Sequence, residues 1–330
     1  MCRFHLENVD RSVLICKTKI LFGILFCLII LKGPVLCIDF SFAEGFPRNR
    51  IVYPLTVSLQ PIADFIKLMS KEDIVPERAD RGLFRALPAF GLAIVSVGML
   101  LLPVWNYTLD SPSATSFSGD IVVLLYLLSL PTFIFFLAGW SSTNLFSTVG
   151  GTRVLTMLFG YEVPLFLTVL TPAILANSWR LAEIAAFYRQ RPLLALLNIP
   201  AFLIALICVQ AKLERTPFDI PHAETEIVGG TFTEYSGKKL ALFRLMMDAE
   251  LVVAAGLLAT VFLGGFPGGL LPGLINFIIK TLFVISLLSL LRATTSRIRV
   301  DQVITLSWRY LAPLAVLQLL VIILIKGLIS

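Results

Sequence analysis

Charged residues are scarce in this sequence. Asp, Glu, Lys and Arg together make up 15% of its 330 residues, whereas 57% are hydrophobic. A soluble domain has about 25% charged residues, and the mean hydropathy here is +0.89. One or two soluble domains are therefore excluded. Repeated apolar runs of about twenty residues predict a polytopic membrane protein instead.

Metal-ligating side chains are scarce too. The chain has two histidines, His5 and His222, and five cysteines without a CxxC pair. Zinc, haem and iron–sulfur sites need grouped Cys or His ligands. The sequence therefore predicts no metal site and no cofactor in this chain, so that any redox centre would lie on a partner.

Eight segments are long and apolar enough to cross a bilayer. They cover residues 20–41, 84–104, 120–139, 154–176, 192–211, 241–264, 271–291 and 308–328. The predicted fold class is all-α, with about eight transmembrane helices. Residues 59–69 carry apolar side chains at helical spacing, which fits an amphipathic helix on the membrane surface or a plain surface helix.

Two units are expected along the chain, an atypical segment at 1–45 and a membrane domain at 46–330. In the first unit, Lys17 and Lys19 precede an apolar stretch, and small residues near 41–43 resemble a signal-peptide cleavage site. We favour a retained helix there, because the apolar region of a signal peptide is usually shorter.

The net charge of +6 comes from basic residues in the loops. Most of them lie in the loops at 42–83, 140–153, 212–240 and 292–307, whereas the opposite loops hold only Arg180, Arg189 and Arg191. The positive-inside rule places the first set of loops in the cytoplasm. The expected location is the inner (cytoplasmic) cell membrane, with the lipid bilayer and no nucleic acid as partner. The same rule places both termini outside, which the basic residues near the N-terminus contradict.

Carboxylates inside the apolar segments are candidates for an ion pathway, because an ionisable group costs about 2.5–3.5 kcal/mol at a helix centre. Glu162 lies within the fourth segment and has no opposite charge within four residues. Asp248 can pair with Arg244 at a spacing of four, whereas Glu250 has no such neighbour. The alternative for Glu162 is a protonated side chain that only packs helices.

The loop after the fifth segment is rich in carboxylates. From residue 214 it reads ERTPFDIPHAETEIVGG, followed by TEYSG from 233. Close carboxylates repel, which raises some of their pKa values toward the range of proton exchange near neutral pH. An acidic loop that docks a partner is the alternative. The further ion-pathway candidates are Glu214, Asp219, Glu224 and Glu226.

This loop resembles the signature of the subunit 1 family of NADH-quinone oxidoreductase, respiratory complex I. The resemblance extends to QPIADFIKL from 60, KEDIVP from 71, GWSSTN from 139, YE at 161 and RATTSRIRVDQ from 292. It implies an eight-helix protein that docks the hydrophilic redox arm and links electron transfer to ion-pumping membrane subunits. The iron–sulfur centres would then lie on those partner subunits, and this chain would be non-catalytic.

A basic cluster, Arg292, Arg297 and Arg299, follows the seventh segment. It is expected to lie beside the acidic loop at 219–234. Complementary charge fixes the register of an interface, so this cluster is predicted to dock the redox arm. A plain topology signal is the alternative. The residues predicted to dock the arm are Glu234, Arg292, Arg297, Arg299 and Asp301.

The sequence also departs from the complex I pattern. Lys212 stands where the family usually has Glu, and the first segment matches poorly. The sequence motifs KLMSKEDI and ETEIVGG are similar to those of the paralogous subunit in energy-converting membrane-bound hydrogenases, which need no quinone. This resemblance implies a ferredoxin-oxidising complex with a nickel–iron centre on a partner subunit, in which H⁺ or Na⁺ is pumped.

Three other functions stay open. The first is a subunit of a quinone-reducing NADH (or deazaflavin) dehydrogenase. The second, from another class, is a stand-alone ion transporter, although the sequence lacks the paired repeats that many transporters show. The third is an inert scaffold, against which the carboxylates at Glu162 and Glu250 argue.

Overall fold

The computed structural model describes residues 63–103, 117–264 and 270–329. Its regular structure in these ranges is helical, and no strand occurs in them. Residues 63–70 are helical as well. The helices that follow are α1 (Arg81–Leu101), α2 (Asp120–Ser141), α3 (Leu145–Ala176), α4 (Leu181–Gln190), α5 (Pro192–Leu196), α6 (Ile199–Lys212), α7 (Glu224–Ile227), α8 (Gly237–Phe262), α9 (Leu270–Thr294), α10 (Val300–Leu306) and α11 (Ala312–Ile329).

Within the described ranges, six helical spans are long and apolar enough to cross a membrane. They are Arg81–Leu101, Asp120–Ser141, Leu145–Ala176, Gly237–Phe262, Gly273–Thr294 and Val300–Gly327. The last one joins α10 to α11 through a π-helical turn at Ser307–Leu311. The predicted all-α, multi-pass membrane fold is therefore confirmed. The predicted segment 20–41, like the unit 1–45, lies outside the described residues.

The fifth predicted segment, 192–211, is wrong as a single span. The chain forms the short α5 and then α6, which has 14 residues and is about 21 Å long, less than the bilayer core of about 30 Å. Pro200 in the first turn of α6 fits the break, because proline has no backbone N–H to bond back to the last turn of α5. Between the two helices, Asn198 donates a hydrogen bond to the Tyr188 hydroxyl (2.6 Å).

Helix α3 is longer than its predicted segment. It has 32 residues and begins at Leu145, where Asn144 caps it by accepting a hydrogen bond from the Phe146 amide (3.0 Å). A Cβ atom on Gly139 would lie 2.5 Å from the Ser147 carbonyl oxygen, so glycine allows α2 and α3 to approach closely there. The predicted loop 140–153 is thus mostly helical.

Helix α8 lies at the centre of the bundle. In its most apolar 18-residue window 89% of the residues are buried, against 28% for the span Val300–Gly327. It packs against α1, α9, α4 and α6, while α3 packs against α2, α6 and α11. Charged side chains on α8 are therefore the ones most enclosed by protein.

The two predicted sets of loops gather at opposite ends of the bundle. Hydrogen bonds and ion pairs join the loops within each set, although the side of the membrane on which each set lies stays a prediction. At the first end the contacts are Lys239 with Asp73 (2.9 Å), the Ile298 amide with the Pro217 carbonyl (3.1 Å) and Asn144 with Glu234 (2.5 Å). At the other end they are the Ile121 amide with the Trp179 carbonyl (3.4 Å) and Lys326 with Asn177 (3.1 Å).

Candidate functional site

A lysine and a glutamate form a buried ion pair between α6 and α8. Nζ of Lys212 lies 3.6 Å from Oε1 of Glu250, and each side chain is 2% exposed. The same ammonium lies 5.7 Å from the centre of the Tyr161 ring, on α3. A charge removed from water needs a partner, because its desolvation costs several kcal/mol. Three helices therefore meet around this one cation.

A second buried pair lies in the loop that follows α6. Glu214 adopts a positive φ of 50° directly after the helix. Oε2 of Glu214 lies 2.6 Å from Nε2 of His222. The imidazole stacks on Phe232 with 4.9 Å between the ring centres and 13° between the planes. One member of each pair, Lys212 or Glu214, thus lies within two residues of the end of α6.

The pKa of His222 is raised above its usual value. Burial lowers it, but the contact with Glu214 and the negative charges of Glu214 and Asp219 raise it by more. Burial also raises the pKa of Asp219, against the positive charges of His222 and Arg297. Both groups lie outside the membrane-spanning helices. Protons can therefore be held at this loop by a His–carboxylate set.

Glu162 lies beside this cluster on α3. Its side chain is half-buried, and the Lys212 charge from α6 and the Ser129 hydroxyl from α2 both act on its carboxyl. The neighbouring Tyr161 is buried and shares a hydrogen bond with Thr132 (3.1 Å). The cation near Glu162 thus comes from another helix, which the spacing along α3 does not reveal.

Asp248 forms an ion pair that the sequence did not indicate. Its Oδ1 lies 3.8 Å from Nη2 of Arg215, and both side chains are largely buried. The i, i+4 neighbour Arg244 is exposed. Since Arg215 follows Glu214 directly, Asp248 ties the loop after α6 to the start of α8.

Glu226 differs from the buried carboxylates. It is exposed and lies 2.6 Å from Arg153 of α3 and 3.8 Å from Arg297. The hydrogen bond from Arg153 lowers the pKa of Glu226, so Glu226 is not one of the loop carboxylates whose pKa is raised. The side chain of Glu224 lies outside the described part of the chain.

The predicted arm-docking residues do not form one cluster. Arg297 reaches Glu226, and the charges of Arg292 and Arg297 act on Asp219. Glu234 instead accepts a hydrogen bond from Asn144 at the start of α3. Two further members, Arg299 and Asp301, are exposed at the start of α10. The basic and acidic loops are thus neighbours, and their docking role stays a prediction.

Sequence reasoning missed two members of the buried cluster. The sequence places Lys212 at the start of the basic loop 212–240, yet it is the last residue of α6 and is buried. His222 was considered only as a metal ligand. The available signal for Lys212 was its place at the end of an apolar run, where a lysine needs a partner. Within the described ranges, no group of three or more His, Cys, Asp or Glu side chains could hold a metal ion.

The fold and this cluster define a class of protein. It is a multi-pass helical membrane protein in which oppositely charged side chains are enclosed between helices near one end of the bundle. Intramembrane ionisable groups that face the bundle interior typically mark ion or proton pathways.

Comparisons with known proteins narrow the class to a family. The model of the family described as NADH dehydrogenase matches residues 50–323. An NADH-quinone oxidoreductase subunit of Dehalococcoides mccartyi (strain CBDB1) is 37% identical over 263 residues, 80% of this chain and 73% of that protein. NADH-quinone oxidoreductase subunit 8 of Thermus thermophilus is 38% identical over 275 residues, 82% and 75% of the two chains. The chain therefore belongs to the NADH dehydrogenase subunit 1 family.

A third relative gives the same assignment. An NADH-quinone oxidoreductase subunit of Geobacter sulfurreducens is 37% identical over 268 residues, which are 80% of this chain and 81% of that protein. The resemblance first drawn from the acidic loop is thus confirmed at the level of the family. The closer resemblance to the hydrogenase paralogue stays a prediction.

Proposed function

We propose that this chain is the membrane anchor and coupling subunit of a complex I-like, ion-translocating oxidoreductase in the inner (cytoplasmic) cell membrane. It is a non-catalytic subunit, because the redox centres belong to its partners in the hydrophilic arm. The observation that carries the proposal is the buried set Lys212–Glu250 next to Glu214–His222. An inert anchor has no use for enclosed charges that cost free energy to desolvate.

The order of the charged groups supports a proton route. Asp219 is partly buried near the surface and acts on His222, which contacts Glu214. Two residues before Glu214, the Lys212 ammonium contacts Glu250 of α8 and acts on Glu162 of α3. Glu214, Asp219, Glu250 and Glu162 are therefore the proposed exchange sites. Asp248, Glu224 and Glu226 are proposed at the mouth of the route.

A matched pair of substitutions tests this function. In the purified complex reconstituted in proteoliposomes, Glu250→Gln should abolish ion uptake coupled to electron transfer. Glu183→Gln is the control, because Glu183 is an exposed carboxylate at the opposite end of the bundle, paired with Arg180 (3.2 Å). Wild-type coupling in the Glu250→Gln complex would refute the proposal, provided that assembly is unchanged.

Two electron acceptors are candidates for the complex. The names of the relatives favour a quinone, and we propose quinone reduction as the first candidate. The second candidate acceptor is the proton, as in a hydrogenase-type complex with iron–sulfur and nickel–iron centres on partner subunits. The sequence motifs around residues 70 and 226 favour this type. Lys212 stands where the family usually has Glu, which also favours the second candidate; in the structure its ammonium contacts Glu250.

The acceptor can be decided on the purified complex. Bound nickel and bound quinone are measured first, and the lipids and quinones are then extracted. If activity collapses on extraction and returns when quinone is added back, the complex reduces quinone. Hydrogen evolution from reduced ferredoxin that survives extraction assigns the hydrogenase type.

A further inference from the structure

Three lysines on the apolar helices differ in what their ammonium groups contact. Nζ of Lys280 donates to the carbonyls of Leu263 (2.9 Å) and Gly264 (3.1 Å), which end α8. Nζ of Lys326 donates to the Ile174 carbonyl (2.8 Å) near the end of α3. A cation at a helix C-terminus is held by fixed backbone dipoles. These two lysines therefore stabilise helix ends.

Lys212 has different neighbours. Its ammonium lies 3.6 Å from the Glu250 carboxylate, which is longer than a hydrogen bond. Oε1 of Glu250 has no hydrogen-bond partner among the described residues. The lysine stem has four flexible carbons, so its charge can move by several ångströms without backbone motion. The pair is therefore close enough to be ionised, and its contact of 3.6 Å is looser than a short charged hydrogen bond.

The charged groups around Lys212 come from two helices and one loop, and α2 adds hydroxyl groups. α8 contributes Glu250, and α3 contributes Glu162 next to the buried hydroxyl of Tyr161. On α8, Asp248 pairs with Arg215 of the following loop. From α2, Thr132 shares a hydrogen bond with Tyr161. The loop after α6 contributes three groups, Glu214, His222 and Asp219.

The Lys212 ammonium acts on two carboxylates, Glu250 and Glu162, whereas Arg215, which also acts on Glu250, is paired with Asp248. The loop carboxylate Glu214 already has the imidazole of His222 at 2.6 Å. Glu162 and Glu250, on different helices, therefore share the charge of Lys212. An enclosed carboxylate without a nearby cation takes up a proton, because the charged form is the more strongly penalised by burial.

We propose that Lys212 is a positioning residue that exchanges between Glu250 and Glu162, so that only one of these carboxylates is ionised at a time. This inference rests on the proposed function and deepens it. The proton leaves one carboxyl group and arrives at the other, while the ammonium keeps its own protons and follows the negative charge. The net charge of the three groups stays constant through the step.

Substitutions at Lys212 separate this exchange from a structural role. Lys212→Met removes the cation, and Lys212→Arg keeps it. A guanidinium binds a carboxylate in a fixed bidentate fork, so it should hold one partner and exchange slowly. Lys280→Met is the matched control, because it removes a lysine of the same bundle whose ammonium binds backbone carbonyls.

Two measurements are made on the reconstituted complex. The first is ion uptake per electron transferred across a pH series. The second is the infrared carbonyl stretch of protonated carboxylic acids, assigned with Glu162→Gln and Glu250→Gln. Wild type should show one protonated carboxyl group shared by the pair. Lys212→Met should show two, because no cation remains to keep either group ionised.

The expected results differ sharply between the variants. Lys212→Met should stop uptake, and Lys212→Arg should assemble normally but slow uptake by about tenfold or more. The control Lys280→Met should keep the wild-type pH profile and infrared signal. Wild-type uptake in Lys212→Arg, or an unchanged infrared signal in Lys212→Met, overturns the inference. If Lys212→Met does not assemble, the Lys212→Arg uptake rate decides alone.

The inference and the proposed function fail in different ways. If Glu162→Gln and Glu250→Gln both pump like wild type, the proposed ion route is wrong. If these two variants lose pumping while both Lys212 variants keep it, the route stands and only the exchange is wrong.

Discussion

The enclosed ion pairs and the surface ion pairs of this protein differ in distance and in expected importance. At the surface, Arg153 and Glu226 lie 2.6 Å apart, with side chains 25% and 52% exposed. Inside, Lys212 and Glu250 lie 3.6 Å apart and are 2% exposed. The shorter pair is solvated and contributes about 0–1 kcal/mol. Breaking the longer one leaves a charge without water, so distance alone ranks the pairs wrongly.

The first prediction tests the enclosed pair directly and has the largest expected effect. Glu250→Leu removes the nearer carboxylate of the Lys212 ammonium and leaves only the half-buried Glu162 as its acidic partner. It should therefore destabilise the fold by about 3 kcal/mol, the low end of the cost of breaking a buried pair. The double variant Lys212→Leu with Glu250→Leu should recover most of this loss, because well-packed apolar side chains replace a buried pair at little cost. Thermal unfolding of the purified complex measures both.

A second surface ion pair supplies the control for that prediction. Removing both members of the exposed pair Arg180 and Glu183 should change stability by at most about 1 kcal/mol. Equal destabilisation by Glu250→Leu alone and by the double variant would show that cavity formation, not the uncompensated charge, causes the loss.

The second prediction concerns the loop that closes over the enclosed pairs. Gly230 has a φ of +57°, and a Cβ atom there would lie 1.9 Å from the Pro221 carbonyl oxygen. Gly230→Ala should therefore destabilise the loop by about 1–3 kcal/mol, because both backbone strain and overlap must be relieved. Gly327→Ala is the control, since nothing lies within 4 Å of a Cβ atom there. Equal melting temperatures of the two variants would contradict this reading of the loop.

The third prediction concerns how stability depends on pH through the enclosed imidazole of His222. The folded state raises the pKa of this imidazole above the usual 6.5, so the folded protein binds its proton more tightly than the unfolded chain. The stabilisation is complete below pH 6.5 and is lost as pH rises through the folded pKa. Thermal stability measured from pH 6 upward should therefore fall in wild type and fall less in His222→Gln.

A carboxylate of the same loop must be separated from that effect. The raised pKa of Asp219 also makes stability fall with rising pH, but from its usual value of 3.8 upward. Asp219→Asn should accordingly flatten the acidic part of the curve and leave the part above pH 6.5 to His222. If His222→Gln keeps the full wild-type slope, the imidazole does not hold the proton.

The sequence predicted the helical spans and the family better than it predicted the site. The length of the apolar segments alone located six spans, because the bilayer requires about 20 apolar residues of each spanning helix separately. The break before α6 and the early start of α3 at Leu145 were missed, since Pro200 and the close approach at Gly139 act through local geometry and packing.

The pairing of charges could not be read from spacing. Lys212 and Glu250 are 38 positions apart and meet only because α6 packs on α8. Sequence spacing revealed only the i, i+4 neighbour Arg244 for Asp248, whereas the structure supplies Arg215 from a loop. Candidates such as Glu162 and Glu250 were found because the apolar residues around them are visible in the sequence itself. Their partners lie on other helices, so the sequence does not show them.

The last prediction concerns the surface side of the comparison and has the smallest effect on stability. The basic residues Arg292, Arg297 and Arg299 lie beside Glu226 and Asp219. Replacing all three arginines with Gln should leave the melting temperature nearly unchanged, because exposed pairs contribute little. It should nevertheless release the redox arm from membranes at moderate salt, since complementary charge fixes the register of an interface and is screened by ions.

A triple variant at the other end of the bundle isolates the docking effect. Arg180, Arg189 and Arg191 carry the same total charge, and their replacement with Gln changes net charge equally. Arm retention is followed by sedimentation of membranes through a salt series. The docking variant should lose the arm at lower salt than both wild type and the control. Identical salt curves for all three would reduce the basic cluster to a topology signal, because only an interface makes the position of the charge matter.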